Sequence, residues 1–535
     1  MHLSDRPSAL LRHGARLLTL LVGLTFAPQN GRTQALQNGW YGYGSNPQHT
    51  CISKVAAQPM KNVHWSMSID QTLPADNSNT GELFIHYTSP VITPRNTIIL
   101  TIRADSSNSF RVEGHRAGDG SLIWAQTTDY ILPPHNWLPP CGSTLTPNQR
   151  LYIPGAGGTV YFRDGVDSAT PGQKGQICFY TSPAGYTAAK ADYNSKVFIN
   201  TPLTSDANGN IYFGFQVTGV PTQTPNLKSG IARISANGVV SWVAVTPFVN
   251  DGSAYKPVMN CAPALSSDGK ILYCAINIGS FSGGYLLALD SRLISSGAVL
   301  PVVGMQLLFD PSLTNSPNEA LLPDDGSGTP TVGPDGDVYF GVLESPFPGH
   351  HDRGWLLHFN ANLHQVKTPG AFGWDDTASI VPAAMVPSYH GASSYLIMSK
   401  YNDYADSGLG GTGVNKIAVL DPQATQADSI FPATKVMKEV LTVAGPTPDP
   451  RLRDASHPNA VREWCINSAA IDPFTKCIIV NCEDGWVYRW DMTTGTLTDK
   501  VQITSGIGEA YTPTIIGPDG TIYAINNGRI WAVGK

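Results

Sequence analysis

The chain contains 535 residues, of which 14% are charged and 41% are hydrophobic, and its formal net charge is −6. This balance suits a globular protein with a large core, and it excludes the strongly basic surface that would hold nucleic acid or an anionic membrane. The 53 glycines and 41 prolines argue against a helical bundle and predict a turn-rich, mostly β protein.

The first 35 residues have the pattern of a signal peptide. Three arginines precede an apolar run from Leu17 to Ala27, which is too short to span a bilayer but suits the hydrophobic region of a signal sequence. Cleavage after Ala35 would leave a domain of residues 36–535, which has no stretch long enough for a transmembrane helix. We therefore predict a secreted or periplasmic protein without a membrane span. A buried N-terminal helix is the alternative interpretation.

An internal repeat runs through the rest of the chain. A clear copy combines Thr201-Pro202, a turn at Asp206–Gly209 and the β-branched and aromatic run Ile211–Gly214. Proline is tolerated at the first residue of a strand, a glycine turn closes a tight hairpin, and the apolar run forms the partner strand. The eight copies, some weaker than others, start at Ser89, Ser143, Thr201, Ala262, Thr329, Val381, Ser468 and Thr512.

The second half of each unit supplies two more strands. Third strands that end in Asp are predicted at residues 285–290, 417–421 and 487–491, and Trp124 and Trp242 lie on fourth strands. Four antiparallel strands per repeat are typical of a β-propeller blade. The sequence therefore predicts an all-β protein with a single closed propeller, which has eight blades if each copy forms one. Seven blades is the alternative, because residues 381–464 are long and irregular.

The last copy of the repeat ends one strand short. After Thr512 the sequence has room for three strands, whereas residues 62–69 near the N-terminus look like a fourth strand that carries Trp65. Strands from both ends of the chain would then share the last blade, which removes the exposed edges of an open sheet. The alternative is an open β-solenoid, which would leave that edge unpaired.

The repeat and the segment before it resemble the PQQ-like β-propeller superfamily over about residues 40–535. The segment from Trp40 to Thr50 is similar to the one that leads into these propellers, and the Asp-Gly, Ile-Tyr and Ala-Leu-Asp elements are similar to their blade repeat. The superfamily includes quinoprotein dehydrogenases and the outer-membrane assembly lipoprotein BamB. The resemblance therefore implies a fold and leaves the activity open.

Both of these relatives carry cysteine signatures that this chain lacks. Quinoprotein dehydrogenases hold PQQ beneath a ring formed by adjacent disulfide-bonded cysteines, and no two cysteines are adjacent here. PQQ and calcium would thus need a non-standard site. BamB-like lipoproteins need a cysteine directly after the signal sequence, and the first cysteine of this chain is Cys51.

The eight cysteines suggest disulfides, because their number is even and the chain is predicted to be exported. Cys261 and Cys274 flank the Asp268-Gly269 turn, which could bring their Cα atoms within the roughly 4.4–6.8 Å that a disulfide requires. Cys141 and Cys178 fall within one repeat and form a second candidate pair. Buried free thiols are the alternative. The sequence contains no Asn-x-Ser/Thr glycosylation site, which favours a bacterial envelope.

The candidate site residues lie on loops that should open at one end of the central channel. These are the loops that enter the first strand of a blade and those that join its second and third strands. Histidine, acidic and arginine side chains brought there from separate blades would suit a small polar ligand, a saccharide or an envelope protein. The ligand-binding candidates are His135, Glu344, His350, Asp375, Arg462 and Glu463. A merely solvated face is the alternative.

Three local motifs on these loops allow more specific chemistry. The run from His350 to Arg353 could act in acid–base or metal chemistry, and the Asp375-Asp376 pair could form a carboxylate dyad at the channel mouth. Asp403 and Asp406 are weak calcium candidates on a glycine-rich loop, without EF-hand spacing. A solvated loop, a turn cap and a flexible surface loop are the respective alternatives.

The sequence favours an exported binding or interaction module and does not decide whether it is catalytic. Two enzymatic alternatives stay open: a quinoprotein-type oxidoreductase with a non-standard cofactor site, and a polysaccharide-active lyase or hydrolase. No GxSxG, P-loop or HExxH motif occurs in a fitting context, which counts against the familiar serine hydrolases, NTPases and zincins.

Overall fold

The computed structural model describes residues 38–70, 89–103, 109–134, 142–246, 253–312, 317–324, 328–406, 408–506 and 513–535. These residues form eight antiparallel sheets, one for each copy of the repeat, arranged as an eight-bladed β-propeller. The prediction of a closed, all-β, eight-bladed propeller is confirmed, and the seven-bladed alternative is excluded. None of the helices in the described part of the chain is long and apolar enough to cross a membrane.

The strands are numbered along the chain, and blades are numbered from the first complete sheet. Before blade 1 lies β1 (Asn62–Ser68). Blade 1 contains β2 (Val91–Ile92), β3 (Thr97–Arg103), β4 (Phe110–Arg116) and β5 (Leu122–Thr128), and blade 2 contains β6 (Thr144–Leu145), β7 (Leu151–Pro154), β8 (Val160–Arg163) and β9 (Lys174–Ile177). Blade 3 contains β10 (Val197–Ile199), β11 (Thr204–Ser205), β12 (Ile211–Val217), β13 (Gly230–Ile234) and β14 (Val240–Ala244), and blade 4 contains β15 (Lys256–Pro257), β16 (Ala264–Leu265), β17 (Ile271–Asn277), β18 (Gly284–Asp290) and β19 (Val302–Leu307). Blade 5 contains β20 (Thr331–Val332), β21 (Val338–Val342) and β22 (Trp355–Phe359), and blade 6 contains β23 (Ser379–Pro382), β24 (Tyr395–Tyr401), β25 (Lys416–Ala427) and β26 (Lys435–Ala444). Blade 7 contains β27 (Ala470–Asp472), β28 (Cys477–Asn481), β29 (Trp486–Asp491) and β30 (Thr496–Gln502), and blade 8 contains β31 (Ile515–Ile516), β32 (Ile522–Asn526) and β33 (Arg529–Gly534). The described helices are all short: α1 (Pro183–Ala188), α2 (Lys190–Asn194), and 3-10 turns at Ala156–Gly158 and Ala383–Met385.

The hairpin between the first two strands of a blade depends on the predicted turn residues. In blade 3, the Asp206 carboxylate accepts the backbone N–H groups of Asn208 and Asn210, both at 2.9 Å. The glycine of the turn has a positive φ, as at Gly209 (85°) and Gly336 (89°), a conformation that strains residues with a Cβ. The short polar side chain and the glycine thus fix where the inner strand turns back in blades 3, 4, 5 and 8, which carry both.

Blade 5 differs from the expected four strands. Its sheet contains only β20, β21 and β22 in the described part of the chain. Residues 366–370 follow the outer edge of β22 through isolated bridges, Phe359 to Val366 and Leu356 to Gly370. Pro369 has no N–H to donate, so this segment covers the edge without forming a continuous ladder.

The ring closes between the two ends of the described propeller. β1 pairs antiparallel with β33, with Trp65 opposite Ala532, so it is the fourth strand of blade 8. The Trp65 indole also donates to the carbonyl of Ala117 in blade 1 at 2.7 Å. The strand that contains Trp65 therefore links the last blade to the first, as the incomplete last repeat predicts.

A second non-local element is the segment of residues 40–53, here called the channel segment. In a propeller the first strands of the blades surround the central channel. Six of these strands donate a backbone N–H from their second residue to a carbonyl of the channel segment, at 2.7–3.1 Å. The donor–acceptor pairs are Ile92 to Trp40, Leu145 to Tyr41, Leu265 to Pro47, Val332 to Gln48, Ile380 to Thr50 and Ile471 to Cys51. The segment therefore runs around the channel wall and contacts the blades in sequence order.

The disulfide prediction is wrong for Cys261 and Cys274, which are both free and buried. Side chains alternate between the two faces of a strand. On β17, Tyr273 and Ala275 pack in the same core cluster as Cys261, whereas Cys274 packs in the cluster on the other face. The two thiols thus belong to different layers of the core.

The remaining described cysteines, including Cys178, are also buried thiols that form no disulfide. Cys141, which the sequence pairs with Cys178, lies outside the described residues.

Candidate functional site

A group of buried and half-buried titratable side chains lies on the loops of blades 5, 6 and 7. We call Asp352, Asp375, Asp376, Lys400 and Glu463 the carboxyl cluster. They come from the loop that joins β21 to β22, the segment that enters β23, the end of β24 and the segment that enters β27. In each blade these are the loops that the sequence predicts to open at the channel face.

Lys400 is the cation of the carboxyl cluster. It is the penultimate residue of β24, a mostly apolar strand, and it is only 1% exposed. Its Nζ lies 3.5 Å from Asp375 Oδ2 and 5.8 Å from the centre of the Phe372 ring. Burial disfavours the ammonium form, but the surrounding acids, Asp375 foremost, outweigh it and raise the pKa of Lys400. The lysine is therefore charged at neutral pH.

Asp375 and Asp376 lie next to this lysine on the segment that enters blade 6. Asp375 has a positive φ of 52°, which marks a sharp turn of the backbone, and both side chains are buried. Asp376 accepts a hydrogen bond from Ser399 Oγ at 2.7 Å. Burial nevertheless raises the pKa of Asp376 to about 7, against the opposing charge of Lys400. The pair thus combines a carboxyl group 3.5 Å from the ammonium, that of Asp375, with one that titrates near neutral pH, that of Asp376.

Asp352 is held in the carboxyl cluster by a loop that Glu344 organises. The Glu344 carboxylate accepts the backbone N–H groups of His350, Asp352 and Gly354, at 3.3, 2.7 and 2.7 Å. His351 and Asp352 both have positive φ values, 58° and 61°, so the chain turns sharply there. Burial, followed by the charges of Glu344 and Glu463, raises the pKa of Asp352 to about 8. This half-buried side chain is therefore mostly protonated at neutral pH.

Glu463 borders a network of ion pairs on blade 7. Its backbone N–H donates to Glu483 Oε1 at 3.3 Å, and Arg451 Nη2 lies 3.0 Å from the same oxygen. Arg462 Nη1 lies 3.7 Å from Glu483 and 3.4 Å from Asp449. Burial raises the pKa values of both Glu463 and Glu483 despite these arginines. Three carboxyl groups, those of Asp449, Glu463 and Glu483, thus lie near two arginines at this edge of the cluster.

The six ligand-binding candidates have different surroundings in the structure. Asp375 and Glu463 belong to the carboxyl cluster, and Arg462 lies in the adjacent ion-pair network. Glu344 is engaged by three backbone donors of its own loop. His135 lies outside the described residues.

His350 is turned away from the carboxyl cluster. Its ring stacks on that of Trp355, with centroids 3.8 Å apart, and it is fully buried. Nδ1 lies 2.9 Å from the Gly354 carbonyl oxygen, and Nε2 lies 3.3 Å from both carboxylate oxygens of Asp428. These contacts attach the loop of blade 5 to blade 6, so we interpret His350 as a structural residue.

The glycine-rich loop with Asp403 and Asp406 uses Asp403 as an internal acceptor. Asp403 accepts the Thr412 N–H at 2.9 Å and its hydroxyl at 2.6 Å, and it contacts His351 Nδ1 at 2.9 Å. Asp406 is exposed. Within the described ranges, no three His, Cys, Asp or Glu side chains are grouped so that they could hold a metal ion.

The donor set of the carboxyl cluster does not fit PQQ with calcium. Calcium prefers a cage of oxygen ligands, and here the ammonium of Lys400 already lies among the carboxyl groups. The adjacent cysteines that would cover the quinone are missing from the sequence. We therefore derive no chemistry through this cofactor.

The six ligand-binding candidates predicted from the sequence did not include Asp352, Lys400 or Arg451, although Asp352 and Lys400 lie on the loops predicted to open at the channel face. Lys400 could have been found, because a lysine within the apolar run of residues 395–401 is rarely buried without a partner. Asp352 lies in the run from His350 to Arg353, but its position depends on the two positive-φ residues of the loop. Arg451 carries no local signal.

Comparison with known proteins supports the fold and nothing finer. No protein-family model matches the chain, and no curated protein is similar to it in sequence. Among solved structures, a europium-containing methanol dehydrogenase superposes with a TM-score of 0.52 at 9% identity, over 92% of this chain and 90% of that one. BamB from Moraxella catarrhalis superposes with a TM-score of 0.44 at 11% identity, over 89% and 97% of the two chains. The superposition on the methanol dehydrogenase shows the propeller fold that the resemblance to the PQQ-like β-propeller superfamily implies.

Proposed function

We propose that the protein is an exported binding module that takes a small cationic ligand at the channel face of blades 5–7. The observation that carries this proposal is the excess of acid in the carboxyl cluster, where four carboxyl groups accompany one ammonium. The signal-like first 35 residues support export, which fractionation of cells expressing the chain with and without residues 1–35 would test.

The ligand charge follows from how the carboxyl cluster is neutralised. Bringing four carboxylates together out of water is costly, and the raised pKa values of Asp352 and Asp376 indicate that protons relieve part of that cost. An ammonium or guanidinium group of a ligand would do the same by direct ion pairing. Binding should therefore displace protons at neutral pH, because a nearby cation lowers the pKa of a carboxyl group.

Solvent access and an aromatic side chain support binding at this edge. Asp352 and Glu463 are half-buried, whereas Lys400 and Asp376 are buried behind them. Trp374 is also half-buried and precedes Asp375 on the segment that enters blade 6. An indole near paired carboxyl groups suits an organic cation, which its ring attracts electrostatically.

Isothermal titration calorimetry with agmatine and putrescine as probes tests the proposal. We expect both cations to bind at pH 7 and to release protons, measured as a difference in heat between two buffers of unlike ionisation enthalpy. The substitution Asp352→Asn should weaken binding about tenfold or more, as for loss of a charged partner. The control Asp268→Asn, at an exposed turn of blade 4, should not. The proposal would be contradicted if cellobiose or galacturonate bound tightly without proton release while neither cation bound.

A second candidate function is acid–base catalysis on a polysaccharide. It is favoured by two carboxyl groups, those of Asp352 and Asp376, with pKa values of about 8 and 7, since a general acid or base works best near the pH of the reaction. Incubation with uronic-acid polymers, monitored by the absorbance of an unsaturated product, tests its lyase form.

A further inference from the structure

The outer strand of blade 4 has an open edge. β19 (Val302–Leu307) is the last strand of its sheet, and within the described residues its only strand partner is β18. The Leu308 N–H donates to the Gly284 carbonyl at 3.0 Å, which shows that the even-numbered residues at this end of the strand direct their backbone groups toward β18. Backbone groups alternate in direction along an antiparallel strand, so those of Met305 and Leu307 point away from β18.

The exposed side chains along this edge are apolar, and the polar Gln306 is half-buried. Val302, Val303 and Met305 are 43%, 38% and 39% exposed, and Val299 just before them is 90% exposed. No charged residue occurs between Arg292 and Asp310. In proteins, open edges usually carry charges, bulges or prolines that prevent pairing. Here Pro301 and the register shift near Val302 interrupt only the start of the strand, which leaves residues 304–307 regular.

The corresponding strand of blade 7 has a different surface. β30 (Thr496–Gln502) is also the last strand of its sheet, but its exposed residues are Thr496, Thr498, Lys500 and Gln502. A polar, charged edge of this kind discourages association. The apolar surface of β19 is therefore a property of blade 4 and not of every outer strand.

An apolar pocket of about 250 Å³ lies beside the end of β19. It is lined by Leu307 and Phe309 of blade 4 and by Leu357, Phe359 and Val366 of blade 5. Its two charged residues are already paired. Asp310 accepts the N–H groups of Ser312 and Ser345, both at 2.7 Å, and Lys367 bonds Asp337. The pocket therefore suits an uncharged apolar side chain.

We propose that β19 is a dimerisation edge, where a second copy of the chain adds its own β19 in antiparallel register. Around a two-fold axis an antiparallel strand is its own complement, so both copies offer the same outward-facing backbone groups. The Leu307 carbonyl accepts a hydrogen bond from Gln306 Nε2 at 3.1 Å, so that side chain has to move aside when a second strand pairs there. Neither strand carries a charge that would repel the other. An apolar side chain from each copy enters the pocket of its partner. This interface is independent of the ligand proposed for the channel face.

The dimer should be reversible. Only residues 304–307 offer a regular edge, so the buried area is at the low end of the range for specific interfaces, where association is weak or transient. The side chains of Val299, Val303 and Met305 add apolar area around this short ladder. The mass of the particle in solution should therefore increase with protein concentration.

Light scattering after size-exclusion chromatography, from about 2 to about 200 µM protein, tests this interface by mass action. We expect the average mass to approach twice that of the monomer in the wild type and to stay monomeric in Met305→Lys. The control Leu122→Lys places the same charge on β5, the outer strand of blade 1, at an exposed position. It should keep the dimer. A wild type that stays monomeric at 200 µM would overturn the proposal.

Hydrogen exchange distinguishes strand pairing from any other dimer. The amides of Met305 and Leu307 should be protected at high concentration and exchange quickly after dilution, since they point outward in the monomer. The Met305→Lys variant should keep the wild-type melting temperature at low concentration, which separates loss of pairing from misfolding. A dimer in which these two amides exchange at the same rate as in the monomer would also overturn the proposal.

Discussion

The carboxyl group of Asp352 makes the folded protein sensitive to pH. Its pKa rises from an ordinary value of about 4 to about 8, by burial and then by the charges of Glu344 and Glu463. Between these two values the folded state keeps the proton and the unfolded state has lost it. Stability therefore falls as the pH rises from about 4 to about 8, with the full loss present above pH 8.

The substitution Asp352→Asn should remove this loss. We expect the variant to equal the wild type near pH 4 and to be more stable by about 1–3 kcal/mol near pH 9, because a half-buried carboxyl realises only part of the roughly 1.4 kcal/mol per pKa unit. Urea unfolding at both pH values measures the difference.

A control with the opposite pKa shift is available. The pKa of Asp268 is lowered to about 2, chiefly by hydrogen bonds from Lys270 and Ser266. Asp268→Asn should therefore give no gain at pH 9. Equal stability of Asp352→Asn and wild type at pH 9 would contradict the raised pKa, and with it the picture of a proton-holding cluster.

The loop that joins β21 to β22 depends on one carboxylate, that of Glu344. In Glu344→Gln an amide nitrogen replaces one oxygen and can no longer accept a backbone N–H. A buried donor left unpaired costs about 1–3 kcal/mol, so the variant should unfold at a lower urea concentration. Exchange of the His350, Asp352 and Gly354 amides should also become faster.

The exposed Glu319 provides the matched control for the loop prediction. Glu319→Gln makes the same chemical change without a buried donor to lose, so its stability and the exchange of the loop amides should match the wild type. If Glu344→Gln left those three amides as protected as before, the loop would be held by other contacts, such as the stacking of His350 on Trp355.

Elements with a local cause were predictable from the sequence, and loop positions were not. The inner strands of blades 3, 4, 5 and 8 follow from small-residue starts and glycine turns, which act over a few residues. Whether Cys274 can form a disulfide with Cys261 depends on the face of β17 on which Cys274 lies, and the spacing around the turn alone does not determine that face. The grouping of Asp352 with Lys400 requires two positive-φ residues and neighbouring blades, so no single segment encodes it.

Two non-local elements hold the whole propeller together, and both come from the first 70 residues. The channel segment binds the inner strands of six blades, and β1 completes blade 8. A ring is stable only when every blade has two neighbours, since an open ring exposes the faces and edges of its terminal blades. We therefore expect residues that are far apart in the sequence to unfold cooperatively.

Removal of the last strand tests this cooperativity. A chain that ends at Gly528 lacks β33, so β1 loses its strand partner, and the bond from Trp65 to the Ala117 carbonyl in blade 1 is no longer held in place. We expect a loss of stability above about 5 kcal/mol, comparable to the total for a typical domain, together with rapid hydrogen exchange throughout residues 62–68. A chain that lacks only Lys535 keeps the full pairing and should unfold like the wild type. An unchanged unfolding midpoint with a protected β1 would mean that the ring is closed by side-chain contacts between blades, without this shared sheet.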